Sequence, residues 1–236
     1  MTAVLRASGV SVRFGGVHAL SGLDLEVQEG QLVGLIGPNG AGKTTFVDAV
    51  TGFARYTGAI ELDGRDLAGV SPHVRARLGL SRTWQSTELF DDLSVGENLS
   101  VASGSADAID ESLGLVELEW AADLMPSDLS QGQRKLIGVA RAIAMRPRLL
   151  CLDEPAAGLD TSESEELGRR LRALAHAGSS MLLIDHDMGL VLSICDQIFV
   201  LEFGKLIAAG PPAEVRRDPR VVEAYLGSAA AEVVEG

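Results

Sequence analysis

Gly37-Pro38-Asn39-Gly40-Ala41-Gly42-Lys43-Thr44 follows the apolar run Leu32 to Ile36 and precedes a helical pattern opening at Thr45. The spacing is G-x-x-x-x-G-K-[ST] between a strand and a helix. Its glycines let successive backbone N–H groups turn inward around phosphate oxygens, and the helix that follows points its positive end the same way. Asn39, Gly40, Ala41, Gly42 and Thr45 then line a phosphate cradle, Lys43 reaches the β- and γ-phosphates, and the Thr44 hydroxyl can ligate Mg2+. An ordinary glycine-rich turn is the competing reading. Lysine occurs in the chain only as Lys43, Lys135 and Lys205, so a chance lysine in this slot is a rare event.

Two further runs resemble Leu32 to Ile36: Leu149 to Leu152 and Met181 to Ile184 are short and almost wholly apolar, as parallel strands covered on both faces are. Each of the three ends in polar chemistry, namely the loop at Gly37, the carboxylates Asp153 and Glu154, and Asp185-His186. Ligands in open α/β sheets bind outside the carboxyl ends of the strands, so the three groups are expected to converge. Elsewhere Leu23, Leu25 and Val27 alternate with polar neighbours, and Ile60 and Leu62 precede an Asp63-Gly64 turn, the signature of a half-exposed antiparallel sheet. The fold class that follows is α/β, a P-loop NTPase with a mixed or parallel sheet core and an antiparallel β subdomain.

Asp153 and Glu154 need not share a task, since successive strand residues point opposite ways. Asp153 suits the Mg2+ shell and Glu154 suits polarisation of an attacking water. Leu129-Ser130-Gln131-Gly132-Gln133 precedes Leu136, Val139, Ala140, Ile143 and Ala144, an amphipathic helix with Ser130 as its cap and Gly132 at an open N-terminus fit for a second anion. Residues 86–128 read as a helical, loop-rich insert with a capping box at Ser94-Val95-Gly96-Glu97. Asp218-Pro219 opens a C-terminal helix that Gly227 stops, and residues 228–236 read as a frayed tail, so 211–236 form a helix and tail on one domain spanning 1–236.

The whole-chain numbers limit the function classes. The 236 residues suffice for a substantial core, and a 46% hydrophobic share with 22% charged residues describes a folded domain. A formal net charge of -13 repels nucleic-acid phosphates over most of the surface, so no nucleic-acid partner is expected. The greasiest stretch, Met181 to Phe203, is broken by Asp185, His186, Asp187, Asp196 and Glu202 and is no membrane span. The N-terminus lacks the basic head and apolar core of a secretory signal, which implies a cytoplasmic chain. Cys151 and Cys195 lie in apolar surroundings and read as buried, inert thiols.

With these pieces in order, the chain resembles the ATP-binding subunits of ATP-binding cassette (ABC) transporters over nearly its full length. The resemblance implies that Leu129 to Gln133 is the signature motif, whose Ser130, Gly132 and Gln133 serve ATP held by the opposite subunit of a homo- or heterodimer. It implies that Gln85, in Arg82-Thr83-Trp84-Gln85, is a glutamine contacting Mg2+ and the membrane partner. It further implies that Phe14 stacks on adenine, that Asp160 in Ala157-Gly158-Leu159-Asp160 lies across the dimer seam, and that His186 contacts the γ-phosphate and positions water. A narrower resemblance is to branched-chain amino acid importers, carried by Phe14 to Leu20, Asp153 to Leu159, Asp185 to Met188 and Ala224-Tyr225-Leu226-Gly227. The chain departs from the pattern at Gln131, where glycine is common, and in a short interval between Gln85 and Ser130.

The function implied is ATP hydrolysis coupled to transport, with ATP and Mg2+ as cofactors. Transmembrane permease subunits are implied as partners, with an extracytoplasmic substrate-binding protein indirectly. The implied location is the inner face of the membrane. Three alternatives stand beside it: importer ATPase for another amino acid, an amide or urea; ATPase of a soluble repair or cluster-assembly machine; and nucleotide-binding regulator without turnover. No heptad insertion separates the nucleotide motifs, which disfavours repair. Intact Lys43, Asp153, Glu154 and His186 disfavour a regulator.

Overall fold

The structure, a computed structural model, describes residues 2–84 and 89–225. Its strands are β1 (Ala3–Phe14), β2 (Val17–Gln28), β3 (Leu32–Ile36), β4 (Thr57–Leu62), β5 (Arg65–Asp66), β6 (Leu80–Arg82), β7 (Leu149–Asp153), β8 (Met181–Ile184), β9 (Gln197–Glu202) and β10 (Lys205–Gly210). The helices are α1 (Lys43–Thr51), α2 (Pro72–Arg77), α3 (Val95–Ser100), α4 (Ala106–Leu115), α5 (Gln131–Ile143), α6 (Thr161–His176), α7 (Met188–Ile194) and α8 (Pro212–Val215). Residues 219–225 are helical, while Leu226, Gly227 and the expected tail lie outside the described residues.

Two sheets form. The first runs β2-β1-β4-β5 and is antiparallel throughout. The second runs β10-β9-β3-β8-β7-β6, parallel except for the β9–β10 hairpin. Strand alternation explains why its central strands are apolar at nearly every position. Leu32 and Ile36, Leu150 and Leu152, and Met181 and Leu183 turn to one face, where they meet Leu136, Val139 and Ile143 of α5, Leu167 and Leu171 of α6, and Val191 of α7. Val33 and Leu35, Leu149 and Cys151, and Leu182 and Ile184 turn to the other, joining Phe46, Val47 and Val50 of α1 and the inner face of the first sheet. The parallel sheet is therefore the middle layer of three, and each fully buried aliphatic side chain stabilises it by about 2 kcal/mol.

The insert between β6 and β7 holds α3, α4 and two single-turn 3-10 helices, with Val95, Leu99, Leu113 and Val116 packed on α5 and its neighbours. Its first helix has the capping box read from the sequence: Ser94 Oγ accepts from Glu97 N at 3.2 Å and Glu97 Oε2 accepts from Ser94 N at 2.7 Å.

Candidate functional site

Strand order sets the site. β3, β8 and β7 are adjacent, and Ile184 lies opposite both Leu35 and Asp153. The residues that follow are Gly37, Asp185 and Glu154, so the three polar groups emerge side by side on strands about 5 Å apart. Convergence expected from three separate motifs is thus a matter of register.

The loop after β3 requires glycine at its ends. A side chain at Gly37 would strike the Leu201 carbonyl oxygen, and one at Gly42 would meet Ala19 O at 2.5 Å, on backbones with φ of 151° and 105°. Gly42 is the N-cap of α1, which has no side-chain cap and no acidic residue in its first turn. The first amides of α1 are therefore left to an anionic ligand. Asn39, Gly40 and Thr44 are exposed, and Ala41 and Lys43 are buried. The Lys43 ammonium donates to Gly37 O at 2.6 Å and Pro38 O at 3.0 Å, folded across the mouth of the loop. Burial pushes its pKa below the ordinary lysine value, and the carboxylates of Glu154, Asp153 and Asp185 oppose that shift.

Asp153 ends β7 in a buried position. Glu154 is not a continuation of the strand. It adopts φ of 47°, a left-handed conformation uncommon outside glycine, with its N–H donating to Ile184 O at 2.7 Å. Regular strand geometry therefore stops at Asp153, and Glu154 sits on a strained backbone just past it. Asp185 is fully buried and acts as an organiser: Oδ1 accepts from His186 N at 2.8 Å and Asp187 N at 3.0 Å, and Oδ2 accepts from Ala156 N at 3.2 Å. This one carboxylate fixes the turns that carry both His186 and the residues after Glu154. His186 Nδ1 lies 3.5 Å from Asp185 Oδ1 and 3.8 Å from Glu154 Oε2, with its ring largely exposed.

On α5, Ser130 Oγ accepts from Gln133 N at 3.2 Å while Gln133 Oε1 accepts from Ser130 N at 2.9 Å, a reciprocal capping box. The N-terminus is not open in the sense the sequence suggested, because Gly132 N–H donates to Glu163 Oε1 at 3.1 Å. Asp160 caps α6 by accepting from Glu163 N at 2.8 Å, and it shares a cleft of about 900 Å³ with Asp185 and His186. Phe14 closes β1 beside Val17 with more than half its surface exposed, free to stack on a planar ring. Gln85 lies outside the described residues.

Three residues were missed in the sequence. Arg82 bonds both Asp153 and Asp48, although it sits three places before the glutamine that drew attention. Glu163 occupies the Gly132 amide; the S/T/D-x-x-E spacing from Asp160 was its only signal. Lys135 is buried, lowered in pKa by that burial against opposition from Asp185 and Glu154, and its rarity was the clue.

The donor set suits a hard cation. Thr44 and Asp153 offer oxygen only, and among the described residues no three His, Cys, Asp or Glu side chains form a metal cage. Mg2+ is characteristically held by one or two protein oxygens together with substrate phosphates, which is what these residues could supply.

Comparison with known proteins agrees with this geometry. The family model described as "ABC transporter" matches residues 20–157, and that described as "Branched-chain amino acid ATP-binding cassette transporter" matches residues 205–231. The chain is 39% identical over 251 positions to the high-affinity branched-chain amino acid transport ATP-binding protein BraF of Pseudomonas aeruginosa, covering 96% of this chain and 98% of the relative. It is 37% identical to the corresponding LivG of Escherichia coli K12, over 96% of this chain and 98% of the relative. The lipopolysaccharide export system ATP-binding protein LptB of the same organism is 34% identical, over 95% of this chain and 98% of the relative. A solved ATP-binding cassette of an ABC transporter in its ADP conformation superposes with a TM-score of 0.87 at 28% identity, covering 96% of this chain and 100% of that one. Alignments of 251 positions against a chain of 236 residues mean that the BraF relative carries segments this chain lacks.

Proposed function

The chain belongs to the ABC transporter family, and on that premise we propose that it hydrolyses ATP to drive import of branched-chain amino acids, as one half of a nucleotide-sandwiching dimer beneath membrane permeases. The observation that carries the reading is the meeting of Lys43, Asp153, Glu154 and Asp185 at the ends of three adjacent strands.

In this reading Phe14 stacks on adenine and residues 39–45 wrap the phosphates. Lys43 exchanges its two carbonyl partners for the β- and γ-phosphates, replacing neutral acceptors with charged ones in direct contact. Thr44, Asp153 and Gln85 hold Mg2+, which supplies charge neutralisation at the phosphates when bound. Glu154, aimed by its left-handed backbone, accepts the proton of the attacking water. His186 contacts the γ-phosphate and keeps that water in line. A sister subunit, identical or paralogous, presents Ser130, Gly132 and Gln133 to the same phosphate, and its Asp160 crosses the seam. ATP closes the pair because the closed state alone grips each γ-phosphate from two sides, and hydrolysis removes that differential affinity.

No helix among the described residues is long and apolar enough to cross a membrane. On the family premise, substrate passage belongs to separate permease subunits, with this chain on their cytoplasmic face. An apolar groove of about 570 Å³ supports docking of a short permease segment. Exposed Trp84, Phe90, Val101 and Met145 line it. Branched-chain amino acids are favoured as cargo by the C-terminal family match and by BraF and LivG. The test is reconstitution of the chain with its permeases and receptor in vesicles. Leucine, isoleucine or valine on the receptor is expected to stimulate ATP hydrolysis and to accumulate inside, with both lost in Lys43→Ala. Stimulation by another amino acid, an amide or urea in their place overturns the substrate, and an ATPase-silent complex overturns the whole reading.

A further inference from the structure

We propose that Arg82 is the positioning residue of the metal carboxylate, tying Asp153 to the helix that begins with Lys43 and Thr44. The inference rests on the assignment of Asp153 to the Mg2+ shell and deepens it.

β6 is the edge strand beside β7, and Arg82 is level with Cys151. Beyond the strand, Thr83 N–H donates to Cys151 O at 2.9 Å, and Asp153 N–H donates to the Thr83 hydroxyl at 3.4 Å, so the two segments stay zipped up to the site. From that platform the guanidinium enters a nearly closed space, its side chain 6% exposed. Nη2 donates to Asp153 Oδ2 at 2.6 Å. Nη1 donates to Asp48 Oδ1 on α1, also at 2.6 Å, and lies 3.5 Å from Thr51 Oγ1. The Trp84 ring covers the guanidinium, with Cζ 4.1 Å from the ring centroid, and packs edge-on against Phe53 just past the end of α1. The contacts to Asp153, Asp48 and Thr51 join β7 to α1, and the Trp84 ring links the β6 edge to Phe53 past the end of α1.

The chemistry demands arginine. A planar fork can donate to two carboxylates at once, whereas an ammonium on a flexible stem acts as a point charge. Among the described residues the buried Nε has no hydrogen-bond partner, so the fork is committed to the two carboxylates. A carboxylate held through one oxygen cannot rotate freely, and its second oxygen is presented in a fixed direction. Partners of this kind orient metal-ligating carboxylates, and their removal typically weakens metal affinity by about 10–100-fold. Because the other arm ends on α1, the spacing between Asp153 and the phosphate loop is fixed by the same side chain. Asp48, Arg82 and Asp153 together carry one net negative charge, which leaves the cluster attractive to a divalent cation.

The experiment uses the full chain and Mn2+ as the metal probe, with binding to the ATP complex read by electron paramagnetic resonance. ATP affinity is measured separately in EDTA. Arg82→Met is expected to weaken Mn2+ binding by about 10–100-fold while metal-free ATP affinity stays within about twofold. Asp48→Asn should weaken Mn2+ binding less and add nothing to Arg82→Met. Arg82→Lys should fall between wild type and Arg82→Met. Should Arg82→Met not yield folded protein, Asp48→Asn and Arg82→Lys decide, and wild-type Mn2+ affinity in both overturns the inference. Asp153→Asn separates the two layers. If it weakens Mn2+ binding and Arg82→Met does not, the role of Arg82 is refuted alone; if Asp153→Asn leaves Mn2+ binding unchanged, the metal assignment falls and the inference with it.

Discussion

Replacing Arg75 by methionine should destabilise the chain by about 4 kcal/mol, and the figure can be built from four hydrogen bonds. Arg75 is 3% exposed on α2 and donates to Val70 O at 2.9 Å, Ala49 O at 2.7 Å, Val50 O at 2.6 Å and Leu67 O at 2.7 Å. Two of these carbonyls keep another donor when the guanidinium goes: Gly52 N–H reaches Ala49 O at 3.3 Å, and Val70 N–H reaches Leu67 O at 3.1 Å. The loss therefore falls on the buried Val50 O and the part-buried Val70 O, each left without its charged donor at about 1–3 kcal/mol. Methionine retains most of the stem, so little cavity energy is added. For a domain of this size about 4 kcal/mol lowers the melting temperature by roughly 8–16 °C. Thermal and urea unfolding followed by circular dichroism measure it, with Arg77→Met, exposed on the same helix, expected within about 0.5 kcal/mol of wild type. A loss below about 1 kcal/mol for Arg75→Met would show that water reaches the end of α1 and that the hydrogen-bond reasoning is wrong.

Glu163→Gln removes a negative charge from the amide that the partner's γ-phosphate is proposed to take, 3.1 Å from Gly132 N, so ATP-driven dimerisation should tighten by about fivefold per site, or about 1 kcal/mol. Sedimentation in the hydrolysis-deficient background reads this, and a weaker dimer contradicts it. Burial pushes the Cys151 thiol up to about 12 from an ordinary 9.0, and burial raises Cys195 as well. At pH 8 native Cys151 should therefore alkylate on the order of a thousandfold more slowly than in urea, as mass spectrometry of iodoacetamide adducts will show; equal rates contradict its burial. The unfolded chain releases the Cys151 proton near pH 9.0 and the folded chain near 12, so this thiol's contribution to stability is complete below 9.0 and is lost as pH rises through that window.

The parallel core was legible because strands covered on both faces leave unbroken apolar runs, and the phosphate loop because its glycines answer to backbone sterics at fixed spacing. The caps at Ser94 and Ser130 were legible for the same reason, since a capping box is local. The missed contacts join residues far apart in sequence. Arg82 meets Asp153 71 positions away, and Glu163 meets Gly132 31 positions away, and neither separation leaves a periodicity. The left-handed backbone of Glu154 was hidden because no residue-type signal marks a strained non-glycine. Arg75 reads as an ordinary surface charge in its local sequence, and only the packing of α2 against the end of α1 makes it a buried clamp.

The most direct test of the proposed two-subunit phosphate site is sedimentation of the Glu154→Gln chain with saturating ATP and Mg2+. A dimer is expected that dissociates when ATP is withdrawn, fails to form in Lys43→Ala because ATP no longer binds, and fails in Gly132→Asp although ATP still binds. A monomer with ATP bound in Glu154→Gln, or a dimer indifferent to Gly132→Asp, would contradict it.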